Sequence, residues 1–178
     1  MNRTRIVFSG SGGQGVITAA ILLAEAAVLY ENLKAVQSQD YGAEARGGST
    51  RSDIIISDAD IYFPKVIQPN ILVCLTQAAY NKYRSMIRPG GLLLTDTRFV
   101  KTEKKVDARQ KELPMFETVM EKLGKPIVFN ICMLGAFIGL TDLIRPSSIE
   151  KILETRLSPS VIELNRKALA LGLELAKG

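Results

Sequence analysis

"SGSGGQGVITAA", Ser9 to Ala20, places Gly10, Gly12 and Gly15 at the G-x-G-x-x-G spacing of a dinucleotide-binding turn. The stretch follows a short apolar run, Arg3–Ser9 (RTRIVFS), which reads as a strand. It opens a longer run, Val16–Glu31, which reads as a helix apolar on nearly every side and so buried on more than one face. Strand, glycine-rich turn and helix in that order predict an α/β protein.

The rest of the chain continues the alternation. "LKAVQS" (33–38) reads as a second strand, 38–50 as an ordered glycine-rich loop, and "RSDIIIS" (51–57) as a third strand. "IYF" (61–63) reads as a short antiparallel return ended by Pro64, a hairpin that makes the sheet mixed. "NILVCLT" (70–76) and "GLLLTD" (91–96) are continuous apolar strands of the kind covered on both faces. "QAAYNKYRSMI" (77–87) between them reads as a helix stopped by Pro89-Gly90-Gly91.

Residues 98–113 read as a charged excursion, 115–124 as a helix ended by Gly124, and "KPIVFN" (125–130) as a final strand. "ICMLGAFIGLTDL" (131–143) reads as an apolar helix in which Gly135 and Gly139 permit close packing. Helices follow over 147–156, with Pro146 near its first turn and Ser147 as cap, and from Ser158-Pro159 to about Lys177. The prediction is one domain, 1–178, a Rossmann-like three-layer α/β/α fold on a mostly parallel, mixed sheet.

Composition excludes several functions. Histidine is absent, which removes the usual general base and the commonest metal ligand, so no catalytic residue and no metal site is assigned. Cys74 and Cys132 both have apolar neighbours and read as buried and reduced; an iron–sulfur cluster takes four ligands. The net charge of +5 is mild and aromatics make up 6% of the chain, a poor match to a nucleic-acid-binding stripe. The basic run from Arg98 to Lys111 is broken by Glu103 and Asp107, and reads as a solvated segment or as a dock for an acidic partner. The N-terminus carries no secretory pattern, and Val16–Tyr30 is too short and too polar to span a membrane, which points to the cytoplasm.

The glycine-rich turn admits an anion, because the helix behind it offers unpaired N–H groups and a positive dipole end. NAD also needs an acid closing the second strand, ~20 residues on, to hold the ribose. Asp40 is the nearest candidate and fits poorly. The Lys-Ser/Thr of a P-loop is missing, since Gln14, Gly15 and Val16 stand there. Gln14 can both donate and accept. It reads either as an amide fixing the turn or as a side chain offered to a partner's ligand.

A second motif is "SQDYGAEARGG", Ser38 to Gly48. Glu44 and Arg46 stand at the centre of a loop whose Gly42, Gly47 and Gly48 permit unusual backbone shapes. Ordering such a loop costs entropy, so contacts must fix it. Either Glu44 and Arg46 brace each other, or Tyr41, Glu44 and Arg46 face a subunit or an anionic ligand.

Together, "GSGGQGV" and "SQDYGAEARGG" resemble the gamma subunit of the 2-oxoacid:ferredoxin oxidoreductases. The resemblance continues through "IIISDADIYFP", "AAYNKYRSMIRPGGLLLTDT", "NICMLGAFIGLT" and "LNRKALALGLELA", nearly the whole chain, and is nearest the 2-oxoglutarate-type branch. Asn70 stands where the family often has Asp.

The resemblance implies a complex that oxidatively decarboxylates a 2-oxoacid to an acyl-CoA and reduces ferredoxin, in anaerobic metabolism. Thiamine diphosphate then sits between alpha and beta subunits, and iron–sulfur clusters lie in other chains, a ferredoxin-like delta subunit among the partners. The gamma chain itself carries no cofactor, packs on the catalytic subunits and helps shape the CoA approach. The residues so implicated are Gly10, Gly12, Gly13, Gln14, Gly15, Tyr41, Glu44, Arg46, Gly47 and Gly48. Self-association of the isolated chain is an accompanying expectation. The alternative is a stand-alone NAD- or FAD-binding oxidoreductase of Rossmann type.

Overall fold

In the computed structural model, which describes residues 3–40, 49–103 and 105–178, the strands form a six-stranded sheet in the order β2-β3-β1-β4-β5-β6. They are β1 (Thr4–Ser11), β2 (Lys34–Asp40), β3 (Ser49–Ser57), β4 (Ile71–Cys74), β5 (Gly91–Asp96) and β6 (Ala108–Leu113). β1, β4, β5 and β6 run parallel to one another, while β3 lies antiparallel between β1 and β2. The mixed character thus comes from β3 lying antiparallel to β1 and β2, and not from a hairpin over 51–63. Residues 61–63 form no strand, and Pro64 follows them; the β3 side chain Asp53 holds the backbone a little further on, at Val66.

Alternation along each strand divides the core. Ile6 and Phe8 of β1, Ile54 and Ile56 of β3, and Leu92 and Leu94 of β5 face one side. There they meet α1 (Val16–Tyr30), α3 (Met115–Leu123), α4 (Phe129–Thr141) and α5 (Pro146–Arg156). Val7, Ile55, Leu72 and Leu93 face the other side. That side is covered by α2 (Gln77–Tyr83) and by irregular segments carrying Val66 and Val100.

α4 is buried along Phe129–Ile138, because it has neighbours on opposite faces. Phe137 meets the β1 residue Phe8 edge-on, with ring centroids 5.1 Å apart. Two residues earlier, Gly135 lies against the backbone of α6 (Pro159–Leu175). The glycines read as close-packing positions in the sequence do that work.

Three local expectations are corrected. "KPIVFN" is a 3-10 turn at Pro126–Val128 followed by the start of α4, since Phe129 and Asn130 face helical neighbours and not a ladder. The excursion 98–113 ends in β6, an edge strand whose Arg109, Lys111 and Glu112 suit an exposed edge. Ser147 does not cap α5; Arg145 precedes it and Pro146 opens it.

Arg145 and Ser148 close the junction with α1 instead. Glu31 at the end of α1 accepts from the Arg145 backbone N–H at 3.0 Å, from its guanidinium at 3.1 Å, and from Ser148 Oγ. Burial pushes the Glu31 carboxyl up, but these hydrogen bonds outweigh it and hold it below its ordinary value of 4.5. A carboxyl lowered on folding adds stability above its unfolded pKa, and that contribution is lost as pH falls through the folded one. Glu31→Gln is therefore expected to lower Tm at neutral pH and to make Tm less sensitive to acid below pH 4.5. Melting curves of both proteins from neutral pH downward check this; parallel curves would sink it.

Candidate functional site

The glycine-rich turn closes where β1 ends. Ser11 C=O accepts from Gln14 N–H at 3.3 Å, Gly13 has φ +86°, and Gly15 has φ +72° at the head of α1. These positive φ values suit glycine and strain other residues. No side chain caps α1, so its first-turn N–H groups point out of the turn without a capping oxygen.

The glycines divide into two kinds. A Cβ on Gly10 would lie 2.5 Å from Gln14 Oε1, and one on Gly15 would lie 2.5 Å from Asn130 Nδ2. Those two are bare because protein fills the space. A Cβ on Gly12 or Gly13 would meet nothing within 4 Å, so the outer half of the turn presents exposed backbone.

Gln14 is committed inward. Its Oε1 accepts from Ser11 N–H at 2.8 Å and its Nε2 donates to Leu75 C=O at 3.2 Å, tying the turn to the end of β4. Of the two readings of Gln14, the geometry supports the amide that fixes the turn. Gln14→Ala removes both bonds at a half-buried place, with an expected loss of about 1–2 kcal/mol and a Tm lower by a few degrees. Chemical denaturation measures it; an unchanged midpoint would show that water replaces both bonds.

Asn130 is not legible as a support of the turn in the sequence, because "KPIVFN" has the pattern of a strand. It sits in the first turn of α4, buried, and donates to Gly15 C=O at 3.2 Å. The heads of α1 and α4 therefore meet beneath the turn. An Asn directly after an apolar run was the signal, but the run itself mimics a strand.

The second motif leaves β2 at Asp40, which pairs with Arg51, and returns at Ser49, which pairs with Ser11. Tyr41, Glu44, Arg46, Gly47 and Gly48 lie outside the described residues. The strand ends that carry them nevertheless stand at the same sheet edge as the turn, with Thr50 opposite Gly10.

That topology bears on the dinucleotide alternative. In a Rossmann unit, the strand whose end holds the ribose acid lies beside β1. Here β3 fills that place and Asp40 is displaced by a further strand, roughly 10 Å from the β1 axis at ordinary strand spacing. Nor do the cysteines fit a cluster. Cys74 faces the α2 side of the sheet and Cys132 the α4 side, and burial pushes each thiol up to about 12.

Among the described residues no three His, Cys, Asp or Glu stand together as a metal site. Asp96, wholly buried at the end of β5, accepts from the backbone N–H groups of Arg98 (2.9 Å) and Phe116 (2.8 Å) and seats α3. Burial pushes its carboxyl up.

The family model for pyruvate ferredoxin/flavodoxin oxidoreductase matches residues 5–175. This chain belongs to that family. Within the pyruvate ferredoxin/flavodoxin oxidoreductase family, it is 46% identical to 2-oxoglutarate synthase subunit KorC of Methanocaldococcus jannaschii, over 98% of this chain and 95% of that one. It is 32% identical to pyruvate synthase subunit PorC of Methanothermobacter marburgensis, over 97% of both.

Its fold superposes on the gamma subunit of a keto/oxoacid ferredoxin oxidoreductase from Geobacter sulfurreducens with a TM-score of 0.91 and 38% identity, covering 99% and 98% of the two chains. The chain is thus a gamma-type subunit of the family, as the paired motifs implied, and nothing in the fold favours the stand-alone NAD or FAD reading.

Proposed function

We propose that this chain serves a 2-oxoacid:ferredoxin oxidoreductase of the 2-oxoglutarate type, and that its bare Gly12-Gly13 turn contacts CoA or the subunit that holds it. The observation that carries the substrate class is the 46% identity, over 98% of this chain, to 2-oxoglutarate synthase subunit KorC. The observation that carries the CoA contact is the uncapped head of α1 behind exposed glycine backbone, a setting suited to a phosphate.

In this reading the complex converts a 2-oxoacid and CoA to an acyl-CoA and CO2, passing two electrons to ferredoxin. Thiamine diphosphate and iron–sulfur clusters belong to the alpha, beta and delta partners, and supply the carbanion and electron-transfer chemistry when bound. The residues of this chain bind and orient. Gln14 and Asn130 hold the turn in shape from below. The chain leaves the sheet at Asp40 and re-enters it at Ser49, on the same edge as the turn, and the motif that carries Glu44 and Arg46 lies between them in sequence. Among the described residues no helix is long and apolar enough to cross a membrane, and we place the complex in the cytoplasm.

Co-expression with alpha and beta candidates tests the assignment. The expected result is co-purification and CoA-dependent dye reduction with 2-oxoglutarate above other 2-oxoacids. Equal activity without this chain would overturn it. Arg46→Ala separates the two roles of its loop: service to CoA or a subunit predicts an unchanged melt of the isolated chain and a CoA requirement raised about tenfold or more. A lower Tm with an unchanged CoA requirement would make Arg46 a brace for Glu44.

A further inference from the structure

Between β3 and β4 the chain runs without regular structure past Tyr62, Phe63, Lys65 and Ile67. The segment is held at several points. Asp53 accepts from Val66 N–H at 2.8 Å, Arg51 donates to Val66 C=O, and Ser38 Oγ donates to Pro64 C=O at 3.2 Å. Nearer its start, Lys34 pairs with Asp60. A segment so pinned has little freedom to fold its side chains inward. Even so, Tyr62 is 86%, Phe63 57% and Ile67 73% exposed. Large apolar side chains clustered on a fixed backbone are anchors in search of a surface.

Phe63, Lys65 and Ile67 line two depressions, of about 420 and 780 Å³, and so form the ridge between them. The smaller one adds Arg5 and Arg88 and contains no acidic residue. Among the described residues Arg5, Lys65 and Arg88 have no salt-bridge partner. Both Arg5 and Arg88 belong to the sheet edge opposite the glycine-rich turn, since Arg5 lies near the start of β1 and Arg88 just before β5.

We infer that this ridge and its basic depression dock an acidic surface of another subunit of the complex, with carboxylates meeting Arg5, Lys65 and Arg88 and an apolar group covering Phe63 and Ile67. The inference rests on the subunit reading above. Charge selects the occupant: a second copy of this chain would bring like charges together, and such juxtaposition opposes binding. The apolar ridge selects a folded polypeptide surface over a small anion, because Tyr62 and Phe63 project where a small anion would leave them in water. The basic depression then grips a subunit at the end of the sheet away from the turn, while the ridge runs back toward Asp40 and Arg51.

The test compares the isolated chain with the assembled complex. Acetylation of Lys65 by an amine-reactive ester should slow about tenfold on assembly, as for a side chain covered at an interface core. The pair Lys65→Glu and Arg88→Glu should leave the melt of the isolated chain unchanged and weaken association about a hundredfold. Activity of that variant should fall on dilution of the enzyme, with the KM for CoA unaltered.

A complex that turns over with Lys65 as reactive as in the free chain overturns the docking surface and leaves the subunit assignment standing. Protection already present in the isolated chain, together with a dimer mass, assigns the face to a second copy and overturns it as well. A chain that joins no alpha or beta polypeptide overturns the reading on which both rest.

Discussion

Gly172→Ala is expected to destabilise the chain by about 3–5 kcal/mol, more than an ordinary overpacked core position. A methyl at Gly172 would stand 1.9 Å from Cys132 C=O and 2.6 Å from Ala136 N–H, both in α4. These are backbone atoms, so no side chain can swing aside, and α6 must move off α4. That movement uncovers Ala168 and Leu169, now 0% and 1% exposed. The same contact viewed from α4 would set a methyl added at Gly135 2.2 Å from Leu169 C=O.

Gly139 is the control. Its added methyl meets the Ala176 methyl at 2.6 Å, past the last residue of α6, where the helix end can yield. Gly139→Ala is expected to cost about 1 kcal/mol or less, partly offset by the better helix propensity of Ala. Denaturant midpoints of the two variants should differ clearly. Similar midpoints would show that α6 adjusts as easily in its middle as at its end.

The α4–α6 contact was legible in part. Gly135 and Gly139 within an apolar run announced a close approach in the sequence, but nothing announced that Gly172 is its counterpart. That pairing depends on the return of α6 across α4, which is a tertiary fact. The glycine-rich turn was legible because strand, turn and helix each carry a local signal. Its support by Asn130 was not, because "PIVFN" has the short apolar pattern shared by buried strands and buried helices. β6 is illegible in the sequence for the opposite reason. "ARQKEL" has no apolar alternation, since an edge strand gains its order from one neighbour, β5, and leaves most of its side chains in water. The dinucleotide resemblance of the turn survived in the sequence because the inserted β3 leaves G-x-G-x-x-G intact. What it changes is which strand lies beside the turn.

Asp53→Ala is expected to cost about 3–5 kcal/mol, the loss found when one partner of a buried ion pair is removed. Arg51 and Asp53 stand on the same face of β3, with side chains only 18% and 9% exposed and Nε to Oδ1 at 2.6 Å. Tyr83 caps the guanidinium, its ring centre 5.4 Å from Cζ. Removing the carboxylate strands the cation and also leaves Val66 N–H without its acceptor. Asp53→Asn keeps one oxygen, for Val66 N–H and Arg51 Nη2, but loses the charge and sets an NH2 against Arg51 Nε–H, so its cost should be smaller than that of Asp53→Ala but still about 1–3 kcal/mol.

The double variant Arg51→Met, Asp53→Leu should recover part of the loss, because two apolar side chains need no partners in that place. A local readout separates this pair from a general effect on the core. The Val66 amide should be protected from hydrogen exchange in the parent and open in Asp53→Ala, with β4 and β5 amides little changed. If all amides open together, the pair stabilises the whole sheet. If Val66 opens by itself, Arg51 and Asp53 serve chiefly to hold the segment that carries Phe63 and Ile67. Subunit association should then weaken in Asp53→Ala although every residue of the docking ridge is intact.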